Sequence, residues 1–74
     1  MNQSQLERLD GIAEAARNGN FERVGVLSTG ERLYVALASG KMQEVAADYT
    51  IVEALARLGE DDVRDLIERW RYKG

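Results

Sequence analysis

The chain of 74 residues contains no histidine, no cysteine and no proline. Without imidazole or thiol there is no cysteine nucleophile, histidine base, disulfide, haem ligand or ordinary zinc site. Enzymatic chemistry would rest on Asp, Glu, Tyr or Lys alone, and none is expected. Long apolar runs are also missing. No segment approaches the roughly 20 residues that cross a bilayer, and Met1 to Gln5 lacks the cationic-then-apolar order of a signal peptide. A cytoplasmic location with no membrane partner follows as the expectation; the lack of cysteine fits any compartment.

Basic charge is scarce as well. Ten Lys+Arg stand against 13 Asp+Glu, for a net charge of -3 and a pI near 4.9. Nucleic-acid binding usually begins with a basic patch that releases counterions, so a nucleic-acid partner is not expected. A charge of -3 lends equally little support to acidic imitation of nucleic acid.

What is present is enough to fold. With 45% hydrophobic and 31% charged residues, the composition is that of a globular domain rather than a disordered tail. The whole chain, 1–74, reads as a single domain without linker, repeat or low-complexity stretch. A core of this size supplies only a few kcal/mol of net stability, and oligomerisation is one common supplement, which leaves a homodimer open.

Ser4 and Glu7 have the spacing of a capping box ahead of a helix whose Leu6, Leu9, Ile12, Ala13 and Ala16 share one face. Asn18-Gly19 offers a left-handed stop. Gly11 either weakens this helix or permits a close approach. From Phe21 to Ser39 the apolar period changes to two: Val24 and Val26 alternate with smaller or polar residues, Thr29-Gly30 offers a tight turn, and Leu33, Val35 and Leu37 alternate on the return. This predicts a β-hairpin with Val26 facing Leu33 and Val24 facing Val35. A short helix is expected over 40–47, with Ser39 as its cap. Thr50 and Glu53 make a second capping box ahead of Ile51, Leu55 and Leu58, which Gly59 closes. Val63, Leu66, Ile67 and Trp70 follow at helical spacing, with Glu60, Asp61, Asp62 and Asp65 at the start and Arg69, Arg71 and Lys73 at the end. The expected fold is α+β, in the order α-ββ-α-α-α, with the two-stranded antiparallel hairpin packed on helices.

Few motifs carry chemistry. Gly40-Lys41 is not the end of a phosphate-binding loop, because Val35 and Met42 stand where Gly and Ser or Thr would be needed. Glu60, Asp61, Asp62 and Asp65 lack the alternating ligands and glycine of a calcium loop and are explained by the helix N-terminus, so no metal site and no cofactor are expected. Residues 50–70 have the outline of a helix-turn-helix. However, Leu55 occupies the place of its small residue, and the recognition helix would open with three acids facing phosphate. No convergent polar cluster marks a ligand pocket.

The outer hairpin face would carry Phe21, Arg23, Arg32 and Tyr34, too much aromatic and guanidinium surface to stand idle. Either a partner or the chain's own helix covers it. Tyr72 falls out of phase with the last apolar stripe and joins this set as a surface residue. The expected partner-binding residues are thus Phe21, Arg23, Arg32, Tyr34 and Tyr72, with no catalytic residue.

The runs Glu31-Arg32-Leu33-Tyr34-Val35-Ala36-Leu37-Ala38, Tyr49-Thr50-Ile51, Glu53-Ala54-Leu55-Ala56-Arg57-Leu58-Gly59 and Leu66-Ile67-Glu68-Arg69-Trp70 together resemble small uncharacterised accessory proteins of proteobacteria and their prophages. The likeness covers about the last two-thirds of the chain and brings no catalytic or ligand-binding motif with it. It implies an accessory protein of a bacterium or mobile element, a class that includes anti-CRISPR and other host-takeover inhibitors. The expected function is a small non-enzymatic interaction or regulatory protein that binds a protein partner as inhibitor or adaptor. The alternative is a small dimeric DNA-binding regulator that uses the helical pair within 50–70.

Overall fold

A computed structural model describes residues 1–72. Five helices follow one another: α1 Gln3–Arg17, α2 Thr29–Ser39, α3 Met42–Ala46, α4 Ile51–Leu58 and α5 Glu60–Trp70, with a 3₁₀ turn at Val24–Val26 between the first two. Lys73, counted from sequence with the basic end of α5, lies outside the described residues.

The expected α+β fold is overturned, since no strand occurs among the described residues. Where the hairpin turn was expected, Ser28 caps a helix. Its hydroxyl accepts from the Glu31 amide at 3.3 Å while a Glu31 carboxylate oxygen accepts from the Ser28 amide at 3.1 Å. Thr29 and Gly30 are therefore the first two residues of α2 rather than the tip of a hairpin. The alternation of Leu33, Val35 and Leu37 misled because Tyr34 and Ala36 between them are fully buried as well, more so than Leu37. A helix enclosed on most of its circumference is apolar all round and shows no dominant period. Here α2 is that helix, packed against α1, α3, α4 and α5. Val24 is buried in the 3₁₀ turn while Val26 points to solvent, so the two valines do not share a face.

The other elements follow their local signals more closely. On α1, Leu6, Leu9, Ile12, Ala13 and Ala16 are all buried, the face that the spacing predicts. Asn2 rather than Ser4 caps it, its side-chain oxygen accepting from the Gln5 amide at 2.8 Å. Gly19 takes a φ of 91° at the far end, and the Asn20 and Gly19 amides bond back to Ala15 and Ala16. Gly40 closes α2 in the same way with a φ of 72°, where the Lys41 amide reaches the Ala36 carbonyl at 3.2 Å. The Thr50–Glu53 capping box opens α4 as read from sequence, with its two bonds at 2.9 and 3.1 Å. A single residue, Gly59, then joins α4 to α5. Its φ of 86° and ψ of 168° lie in a region that glycine alone adopts without strain.

The helices share one hydrophobic cluster, to which α1 and α2 contribute most, with Val45 and Ala46 from α3, Ala54 and Leu58 from α4, and Leu66 and Trp70 from α5. No helix is long and apolar enough to cross a membrane among the described residues.

Candidate functional site

Asp10 is a polar junction between three helices. It sits on α1 beside the buried stripe, and donors from two other helices converge on it. One carboxylate oxygen accepts from the Tyr34 hydroxyl at 2.7 Å and from the Trp70 indole N–H at 2.8 Å; the other accepts from Arg69 Nε at 2.6 Å. Burial alone would raise the Asp10 pKa, but the hydrogen bonds from Trp70, Tyr34 and Arg69 outweigh it and hold the carboxyl below the ordinary range. Burial and the same carboxylate push the Tyr34 phenol upward. At neutral pH the cluster therefore holds a charged acceptor and a protonated phenol whose bonds are already made. It has no proton poised to exchange near neutrality, and its evident action is to clamp α1, α2 and α5 together.

A second polar link ties α1 to the start of α2. Glu31, while closing its capping box, also accepts from Gln5 Nε2 at 3.0 Å and pairs with Arg8. The Gln5 hydrogen bond is the leading reason its carboxyl is lowered. Met1 adds a third link, its amino group donating to Asp62 at 2.8 Å.

Three of the five residues expected to form a partner-binding face are engaged inside the fold instead. Tyr34 has no exposed surface and is held by Asp10. Arg32 donates to the Val45 carbonyl at 3.1 Å, grips Asp48 through both carboxylate oxygens at 2.9 and 3.2 Å, and lies over the Tyr49 ring. Phe21 is half-buried against the core. Arg23 is exposed at the start of the 3₁₀ turn. Tyr72 is exposed just beyond α5, with the Arg71 guanidinium over its ring. With no hairpin, these side chains share no face of a sheet.

Apart from Val26 in the 3₁₀ turn and Tyr72, the exposed large hydrophobic residues lie on α4 and α5. On α4, Ile51 is 58% and Val52 76% exposed, and Leu55 is also exposed; on α5, Ile67 is 52% exposed. In α4, Ala54 and Leu58 point inward, and at about 100° per residue Val52 stands about 160° from Ala54 around the helix axis. The apolar arc of α4 is thus much wider than the core can cover. On α5 and its C-cap, Glu60, Val63, Arg64, Ile67, Glu68 and Arg71 lie along one outward side. Sequence reading named Ile51, Leu55 and Ile67 in the apolar patterns of their helices and passed over Val52. The available signal was four large aliphatic residues among the eight of α4, more than one inward stripe requires.

Among the described residues no group of three or more acidic side chains is gathered to hold a metal ion. Comparison with family models, curated proteins and solved structures finds no match for the chain.

Proposed function

We propose that this chain is a small non-enzymatic binding protein of bacterial or phage origin that acts in the cytoplasm on a protein partner, as inhibitor or adaptor. Its contact surface is the outward side of α4 and α5, joined by the exposed Tyr72. The carrying observation is the outward placement of Ile51, Val52 and Ile67 while every large aliphatic residue of α1 is buried. Exposed aliphatic surface of this kind costs solvation in the free protein and is covered favourably by a partner. The polar groups best placed to act chemically, around Asp10, are spent on holding the helices together.

The test is recovery of the tagged chain from native lysate, with bound protein and bound nucleic acid both identified by mass. One stoichiometric protein, lost with Val52→Glu while the far-UV circular dichroism is unchanged, is the expected result. Binding that is indifferent to Val52→Glu and Ile51→Glu would move the site off this surface. A dimeric DNA-binding regulator is the second reading, favoured by the two short helices meeting at Gly59. Glu60, Asp61 and Asp62 in the first turn of α5 weigh against it, since they would meet phosphate. Salt-sensitive duplex binding would reverse the order of the two.

A further inference from the structure

We infer that the outward face of α5 is a self-complementary surface that pairs antiparallel with the α5 of a second copy of this chain. The inference deepens the reading of α4 and α5 as a contact surface and rests on it for the α5 part. Along this side, the charged side chains run Glu60, Arg64, Glu68, Arg71, alternating in sign from one end of the helix to the other. Between them lie the exposed Ile67 and Val63, which is half-buried against the core, as the apolar centre of the face. Glu60 and Glu68 make no ion pair with any described residue, and Arg64 meets only the exposed Asp61 at 4.0 Å.

An alternating series laid parallel on itself sets like charge on like. Reversed about a two-fold axis between Asp65 and Leu66, it does the opposite. Glu60 comes level with the partner's Arg71, Arg64 comes within one residue of the partner's Glu68, and Val63 comes within one residue of the partner's Ile67. One residue is about 1.5 Å of axial travel, well within the reach of these side chains. The two-fold axis makes every such contact twice, as an isologous dimer requires. The antiparallel arrangement also places the acidic first turn of each helix beside the basic last turn of the other, so the two helix dipoles oppose. With only Val63 and Ile67 at its centre the pairing is weak and steered by charge, so it appears at high protein concentration and low ionic strength.

The experiment is sedimentation velocity on the whole chain over a concentration series at low and high salt, with circular dichroism on each variant. The mass should rise from 8.3 kDa towards twice that value with concentration and fall back on adding salt. Ile67→Glu should hold the chain monomeric. Glu60→Arg and Arg71→Glu should each weaken pairing about tenfold, because each disrupts two symmetry-related pairs. The double variant Glu60→Arg/Arg71→Glu should restore it. These two positions are 11 residues apart, about 16 Å along one helix, so rescue cannot come from within a single chain. A chain that stays monomeric to about 1 mM, the edge of meaningful affinity, overturns the inference. So does a dimer indifferent to Ile67→Glu, or a double variant no better than the singles. Self-pairing with no other protein recovered from lysate would keep the dimer and remove the partner-binding role; a stoichiometric partner on a strictly monomeric chain would do the reverse.

Discussion

The α1–α2 half and the α4–α5 half of this molecule are built from similar amphipathic material and use it differently. In the first, Leu6, Leu9, Ile12, Leu33 and Val35 all go inward, and the polar residues beside them, Gln5, Arg8, Asp10 and Glu31, bond across the helix junction. In the second, Ala54, Leu58, Leu66 and Trp70 are buried and Val63 packs partly against them, while Ile51, Val52 and Ile67 remain outside. The difference arises because α2 is surrounded and α1 carries its large aliphatic residues on the inward side alone, whereas α4 and α5 carry them beyond the side that meets the core. A helix at the edge of a small bundle has one side to bury, so aliphatic residues beyond that arc are left for whatever binds next.

The contrast is broken most severely at its aliphatic residues. Leu9→Ala should cost about 2–5 kcal/mol through transfer and cavity terms, whereas Val52→Ala should stay within about 0.5 kcal/mol, as exposed substitutions do. Urea denaturation of both variants checks this; equal losses would mean that α4 is as enclosed as α1. Asp10→Ala comes next, at about 3 kcal/mol, because Tyr34, Trp70 and Arg69 lose their common acceptor. The same residue sets a pH dependence. Its folded pKa is lowered, so its stabilisation is present above the ordinary carboxylate value of about 4 and is lost as pH falls through the lower folded value. Wild type should therefore lose more stability than Asp10→Ala on acidification below about pH 4, by thermal melts at a series of pH values.

Smaller effects than that of Asp10 separate two glycines. Gly59→Ala should cost about 1–3 kcal/mol, since its backbone conformation is strained for any residue with a Cβ. Gly11→Ala should stabilise α1 by up to about 1 kcal/mol. Nothing lies within 4 Å of a Cβ built at Gly11, which removes the alternative that this glycine permits a close approach. A calorimetric melt of each variant is sufficient, and a destabilised Gly11→Ala would show that something packs there in solution.

Much of the helical frame was legible because its signals are local. The Thr50–Glu53 box and the stops at Gly19 and Gly59 lie within a few residues of what they control. The buried face of α1 was legible because one side of that helix meets the core and the other meets water, which writes a clean period into the sequence. The same rule fails for α2. Ser28 and Glu31 have capping-box spacing, yet Thr29-Gly30 also suits a tight turn, and the apolar run from Leu33 to Ala38 is compatible with either period. The hairpin that would have set the candidate contact residues on one face is absent: Tyr34 is buried, Phe21 and Arg32 are half-buried, and Arg23 and Tyr72 are exposed.

By itself, then, the sequence determined the first helix, the paired short helices at the end and the stops at Gly19 and Gly59, since each depends on residue types or on neighbours along the chain. Only the tertiary structure decided that residues 29–39 form a central helix, that Asp10 meets Arg69 and Trp70 about sixty positions away, and that the aliphatic surplus of α4 and α5 stays outside. Those outcomes depend on how many neighbours surround each helix, which is a property of the packed molecule and has no period along the chain.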